Sequence, residues 1–417
     1  MRVLILGNGG REHALAWRFS KSKRIAGLYV APGNAGTAAI ARNISSVSPT
    51  DIDAVLEVCD EHRINFVFVG PEAPLAAGVV DALRERDIPT VGPHAEAARL
   101  ESSKAFAKEF MERHGVPTAR SKTFTSTEPL ESYIRSQSGR QVVKKSGLAA
   151  GKGVLDTDDR EALVRFATEL VSDDAVVVEE YLSGYEVSIF VLTDGEGHLT
   201  LPACADYKKA GVGNTGPNTG GMGAVCPVPW LEPEMLGRIE SEVVEPSIRG
   251  LAEDGLSYHG VLYIGLMVTE LGPRVLEYNV RLGDPEAQVL LPIIESDIGN
   301  LSSAIVEGAL ASFPLRVSEG FALGVVVAAA GYPGGYHTGL EVDPLPHIPE
   351  QEGLIFHAAT ESAADGRVLT GGGRCFAAVG RGRGLLEARS HAYRLANNIT
   401  FDGAWFRPDI GNRIFGQ

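Results

Sequence analysis

Cysteine is scarce in this chain, with only Cys59, Cys204, Cys226 and Cys375 among 417 residues and no CxxC pair. That usage excludes a disulfide framework, argues against structural zinc, and reads as reduced thiols in a cytoplasmic protein. Long apolar runs are missing as well: FALGVVVAAAGYP, from residue 321, is too short and too glycine-broken to span a bilayer. The start, MRVLILGNGGREH, enters a strand-like run at once and lacks the basic-then-apolar layout of a signal peptide. Positive charge is in deficit, 38 Lys and Arg against 53 Asp and Glu, so the formal charge of −15 gives no basis for a nucleic-acid-binding face. Small anions remain possible ligands through local lysines and helix N-termini. There is no GxSxG motif and no cysteine with an activating partner, so nucleophilic hydrolysis lacks support. His13, His94 and His259 have neither HxxH nor HExxH spacing and read as structural.

What the chain has in quantity is glycine, 49 residues, much of it in loops between regular elements. Strand signals at 3–6, 28–30, 65–69 and 89–91 alternate with helical patterns at 12–20, 51–61 and 75–86. This alternation predicts a parallel sheet with crossover helices. A further helical period at 95–113 stops at His114-Gly115-Val116-Pro117. The expected organisation is multidomain α/β and α+β. It comprises an N-terminal parallel-sheet α/β domain at 1–100, a central domain at 101–312 and a small α+β domain at 313–417 ending in a helix near 386–397.

Several segments carry chemistry. VKKSGLAAGKGV, residues 143–154, has the look of a phosphate loop but fails the P-loop pattern GxxxxGKS/T at both ends, with Ser146 and Gly153 in the defining places. The segment is either an ordinary glycine-rich turn or a nucleotide loop of another design whose metal ligands lie elsewhere. In LEYNVRLGDPEAQ, residues 276–288, a strand over 275–282 puts Glu277, Asn279 and Arg281 on one face and Leu276, Tyr278, Val280 and Leu282 on the other. A carboxylate, an amide oxygen and a guanidinium in a row suit Mg²⁺–triphosphate chemistry. The same pattern also suits a solvated strand face with a Glu–Arg pair. VVVEEYLSGYE, residues 176–186, ends a buried strand in polar groups able to meet a nucleoside, or simply leads into a surface hairpin. DYKKAGVGNTGPNTGGMGAV, residues 206–225, is too small-residue-rich for core and reads as an anion cradle or an exposed loop. GNGGREHA, residues 7–14, resembles a dinucleotide fingerprint but has Glu12 in place of the third glycine, which leaves a single-phosphate site at the helix start.

Together GNGGREHALAW, APGNAGT, VGPEAPLAAGVVD, LESSKAFAKEF, GLAAGKGV, NTGPNTGGMGA, LEYNVRLGDPEAQ and AAGYPGGYHTG occur in order along the whole chain. They resemble the glycinamide ribonucleotide synthetase family of ATP-grasp enzymes. The resemblance implies a central ATP-grasp domain with a mobile lid at about 120–190, and ATP-dependent joining of glycine to phosphoribosylamine through a glycyl phosphate. It implies ATP contacts from Lys104, Lys144, Gly147, Gly151, Lys152, Gly153, Glu179, Tyr181, Leu182 and Glu186. Mg²⁺ or Mn²⁺ would sit on Glu277 and Asn279, with Arg281 and Lys144 as catalytic cations. Gly9, Gly10, Arg11, Glu72, Asp206, Lys208, Thr215, Asn218, Thr219, Gly283 and Asp284 would face the other substrates. The expected partners are small molecules only, with no nucleic acid or membrane, and the chain is expected to act as a monomer or weak homodimer. Lys145-Ser146, Tyr207, Lys209, Asn214 and Leu282 depart from the family pattern, and the first and fourth of these bear on the anion site. A sister carboxylate–amine ligase, or a nucleotide-binding protein without turnover, are the alternative readings.

Overall fold

The computed structural model describes residues 1–149 and 153–412. Its largest sheet holds central strands, Arg2–Gly7, Phe66–Val69 and Thr90–Pro93, that are buried on both faces, as crossover helices require. Arg42–Asn43, Gly27–Pro32, Arg2–Gly7, Phe66–Val69 and Thr90–Pro93 lie side by side in that order, all parallel. Thr90–Pro93 then meets the start of the antiparallel strand Tyr258–Thr269, with Tyr258 opposite Pro93. That long strand pairs with Tyr185–Thr193 and with Gly272–Asn279. One sheet therefore runs from the N-terminal region into the centre of the molecule.

Two expected helices are divided, each for a local reason. The 75–86 pattern becomes Glu72–Ala76 and Val79–Glu85, because Gly78 takes φ +87° between them. The 95–113 pattern becomes Ala95–Ser102 and Lys104–Arg113. Ser103 is extended there, and its hydroxyl accepts the Phe106 N–H at 3.3 Å as an N-cap. The break puts Lys104 at a helix start.

A four-stranded antiparallel sheet, ordered Ser121–Phe124, Val176–Glu180, Gln141–Lys145 and Val154–Thr157, stands apart with helices Thr127–Ser136 and Arg160–Val171. Its core of Phe124, Leu130, Ile134, Val143, Leu163 and neighbours draws on no described residue outside 124–178. The C-terminal region forms a five-stranded sheet under the helix Leu385–Ala396. That sheet takes two short strands from the middle of the chain, Ala205–Asp206 and Gly223–Cys226, which anchors both ends of the second glycine-rich loop. All four cysteines are buried and free. Among the described residues no helix is long and apolar enough to cross a membrane.

Candidate active site

The strand Gly272–Asn279 is irregular where it matters. Its register slips between Gly265–Glu277 and Leu266–Val275, leaving Leu276 as a bulge. The Leu276 carbonyl turns to accept from Lys144 Nζ at 3.1 Å. The expected strand over 275–282 ends at Asn279 instead. Arg281 nevertheless joins the group, with Nη2 3.2 Å from Asn279 Oδ1. Glu101 makes this possible: its carboxylate accepts the Val280 N–H at 2.8 Å and Arg281 Nη2 at 2.6 Å. Glu72 adds a contact to Arg281 Nε at 3.3 Å.

Around this strand the charges interlock. Glu179 lies buried between Lys144 at 2.9 Å and Lys108 at 3.1 Å. Burial opposes its ionisation, but the two ammonium groups outweigh that and bring its pKa below the usual value. Lys208 Nζ sits 3.5 Å from both Glu186 and Glu277. Burial likewise works against the Glu277 carboxylate, yet Lys208, Lys144, Lys104 and Arg281 hold its pKa at about 2. Asp206 behaves oppositely: burial raises it to about 7 against the pull of Lys208, and Glu286, Glu186 and Glu277 add to the rise. Lys104 donates to the Gly147 carbonyl at 3.3 Å and has no ion-pair partner among the described residues. A cation near other cations and without a carboxylate of its own is suited to an anionic ligand.

A second cluster lies at the start of helix Gly10–Ser20. The Arg11 N–H donates to Asp284 at 3.0 Å, and Arg374 reaches the same carboxylate at 3.2 Å. The Arg11 guanidinium is turned inward, donating to Leu282 O at 2.9 Å and to Glu12. The Glu12 carboxylate accepts the Gly9 N–H at 2.6 Å and fills the space between Gly7 and Gly70. It occupies the room that a dinucleotide's third glycine would leave. Gly283 is packed against Glu286, where a Cβ would come within 2.4 Å of the carboxylate.

Not every expected residue joins these groups. Thr219 accepts the Gly221 N–H and donates to Lys208 O at 2.9 Å. Thr215 turns back to Val212 O at 2.9 Å, on the exposed hairpin strand that it shares with Asn218. Tyr181 is exposed, with the Arg140 guanidinium 4.2 Å from its ring centroid, and Leu182 follows it. Gly151 and Lys152 lie outside the described residues, while Gly153 accepts the Lys145 N–H at 2.8 Å. The departures prove to be local fits. Lys145 turns away to Asp173, the Ser146 hydroxyl accepts the Ala105 N–H at 3.2 Å, and Asn214 meets Arg407 at 3.1 Å. Leu282 is core.

Sequence reasoning passed over Glu101, Lys108 and Arg374. Glu101 stood in plain view three residues before Lys104 within LESSK, but only tertiary structure brings it to Arg281. The paired oxygens of Glu277 and Asn279, one ionised well below neutrality and the other buried, are hard donors few in number. They fit a divalent cation that keeps room for phosphate oxygens and water.

Comparison with known proteins agrees along the whole chain. Three family models match: the phosphoribosylglycinamide synthetase N domain over residues 1–101, its ATP-grasp (A) domain over 102–287 and its C domain over 322–413. A phosphoribosylamine–glycine ligase from Chlorobaculum tepidum is 45% identical over 99% of this chain and 99% of its own. One from Salmonella typhimurium is 43% identical over 99% and 98%. The crystal structure of the Thermotoga maritima phosphoribosylamine–glycine ligase superposes with a TM-score of 0.84 at 37% identity, covering 99% of this chain and all (100%) of that one. A biotin carboxylase from Campylobacter jejuni shares the fold alone, at TM-score 0.75, 14% identity and 99% and 96% coverage.

Proposed function

The chain belongs to the phosphoribosylglycinamide synthetase family, and from that premise we propose that it joins glycine to 5-phosphoribosylamine, with ATP cleaved to ADP and phosphate, in purine biosynthesis. The observation that carries the reading is Lys104 without a carboxylate partner, next to Lys144 and the Glu277–Asn279 oxygens. A triphosphate with its divalent cation supplies the complementary charges.

A carboxylate is a poor electrophile, so glycine must be activated before an amine attacks it. The γ-phosphoryl group passes to a glycine oxygen, and the amine of phosphoribosylamine then displaces phosphate from the resulting glycyl phosphate. Little covalent chemistry falls to the protein; positioning and charge neutralisation do the rest. Lys104 and Lys144 hold phosphate oxygens, and Arg281, fixed by Glu101, faces the transferring group. Glu277 and Asn279 would hold Mg²⁺ or Mn²⁺, which when bound neutralises phosphate charge. The strand end at Glu179, Tyr181 and Leu182, with Glu186, lies against the nucleoside. Gly147, Gly151, Lys152 and Gly153 belong to the lid that covers the triphosphate, and the separate core of the four-stranded sheet suits a unit that moves as a body. Gly9, Gly10, Arg11 and Glu72 face phosphoribosylamine. Asp206, Lys208, Thr219, Gly283 and Asp284 border the acyl site, with Thr215 and Asn218 at its outer edge. The proposed working form is a monomer or weak homodimer. Four buried free thiols suit the cytoplasm.

The test is ADP release with Mg·ATP, glycine and freshly generated phosphoribosylamine, each left out in turn. The expected result is ADP only when all three are present, with glycinamide ribonucleotide as product. ADP release that prefers another amino acid over glycine would overturn the substrate assignment.

A further inference from the structure

The first half of the second glycine-rich loop is gripped by a residue far along the chain. Arg407 is 1% exposed. Its Nη1 donates to the Lys209 carbonyl at 2.6 Å and its Nη2 to Asn214 Oδ1 at 3.1 Å. Its guanidinium lies 5.5 Å from the Tyr207 ring centroid. Asp409 takes Nε at 2.9 Å and Nη2 at 2.7 Å, and with its second oxygen also accepts the Gly213 N–H at 2.8 Å. The Gly411 N–H donates to the Tyr207 hydroxyl at 3.0 Å. A five-donor planar fork is thus used for backbone, amide and carboxylate together, which a lysine could not reproduce.

Tyr207 and Lys209, both held by this segment, flank Lys208, whose ammonium stands 3.5 Å from Glu186 and from Glu277. Thr219 completes the grip, its N–H and hydroxyl both meeting the Lys208 carbonyl, at 2.7 Å and 2.9 Å. The backbone of Lys208 is thereby fixed on both sides and at its own carbonyl.

We propose that Arg407 is a positioning residue for the ligase reaction, acting through Lys208, with Asp409 orienting its guanidinium. The C-terminal region is then part of the catalytic apparatus without touching substrate. Asn214 belongs to the same device: it adopts φ +56°, a left-handed conformation that asparagine tolerates, and presents its oxygen to Arg407. The side chains that vary at Tyr207 and Asn214 both meet one buried guanidinium, so they adjust the clamp rather than the chemistry, while at Lys209 only the backbone carbonyl takes part. The proposal rests on the reading that Lys208 borders the acyl site.

A double-mutant cycle tests it, with Arg407→Lys, Lys208→Met and the double variant, read as kcat and KM for glycine and for ATP. In the wild-type background Arg407→Lys is expected to lower kcat/KM for glycine by ~10- to 100-fold, the scale of a small misplacement in an active site. In the Lys208→Met background the same change is expected to have less than ~2-fold effect, because the route through Lys208 is gone. An equal loss in both backgrounds would overturn the proposal and leave Arg407 a structural residue only; no loss in either would do the same. Should Arg407→Lys fail to fold, Asn214→Ala removes one bond of the clamp and carries the same cycle at smaller amplitude. Absence of turnover in the wild-type protein would strike the functional reading instead, and Mg·ATP affinity measured through the cycle then decides the coupling.

Discussion

The two glycine-rich segments of this protein are built on opposite plans. The first, at 143–154, hangs from a four-stranded sheet whose core is its own. Among the described residues it touches the body of the molecule mainly at one end, through Lys144 Nζ to Leu276 O at 3.1 Å, the Lys104 N–H to Ser146 O at 2.9 Å, Lys104 Nζ to Gly147 O and the Ala105 N–H to the Ser146 hydroxyl. The second, at 206–225, is sewn into the C-terminal sheet at both ends. Arg407 and Asp409 hold one side, while Arg374 donates to Gly220 O at 2.7 Å and to Asp284 O at 2.8 Å on the other. Glycine content alone does not distinguish a segment meant to move from one meant to stay. What distinguishes them is where their polar groups are answered: within the segment's own small domain, or by a different part of the chain.

The largest expected effect lies between the two segments. Glu277→Ala removes the proposed cation ligand and should lower kcat by at least ~10³-fold, with the melting profile retained, because cation-mediated charge neutralisation supplies several kcal/mol. Activity within tenfold of wild type would detach the strand from the chemistry. Within the first segment, neighbouring lysines should part company. Lys144→Met should reduce turnover by ~10²-fold through loss of the proposed phosphate contact and of a Glu179 partner, whereas the surface pair of Lys145 predicts a change under ~2-fold for Lys145→Met. Steady-state kinetics of the two variants side by side settles which lysine faces the site. Smaller again is Arg374→Met, which frees Gly220, Gly221 and Asp284. An increase of about 10-fold in KM for glycine with little change in KM for ATP is the expected outcome.

Much of this was legible in the residues. The failure of 143–154 as a P-loop pointed to a distant strand for metal ligands. Asn279 and Arg281 do meet in the fold, and the run Glu277-Tyr278-Asn279-Val280-Arg281 stood out in the sequence by alternation. The bulge at Leu276 did not, because nothing in a sequence announces which strand carbonyl must turn to meet Lys144. Glu101 escaped for a related reason. A carboxylate at a helix end is ordinary until an arginine 180 residues later folds onto it, as Arg281 does. The breaks at Gly78 and Ser103 were masked by apolar periods that continue across them. The clamp on the second loop was hidden most completely, since nothing in the short segment that carries Arg407 and Asp409 points to the distant loop it holds.

A different seam, between the N-terminal helix and the C-terminal sheet, predicts a pH effect. His13, on the N-terminal helix, accepts the His357 N–H at 2.8 Å from the C-terminal sheet. Burial lowers His13 to about 3, with His357 adding to the shift, and burial lowers His357 to about 4. Both rings are neutral in the folded state and charge near pH 6.5 when unfolded. Protons then bind the unfolded chain preferentially, so stability is full above that value and falls as pH drops through the window towards 4 and 3. The loss is on the order of 2 kcal/mol per ring by about pH 5. Thermal midpoints across this range should decline in the wild type and decline less in His357→Asn; parallel curves would refute the seam's part in it.

Amide hydrogen exchange measures the contrast itself. Peptides covering 141–149 and 153–157 and peptides covering 206–225 are followed in the free protein and with Mg·ADP and glycine. The account predicts that the first set gains protection on ligand binding, while the second is already slow to exchange and changes little. Equal gains in both, or a second loop that exchanges as fast as the first in the free protein, would contradict the division between a moving cover and a fixed wall.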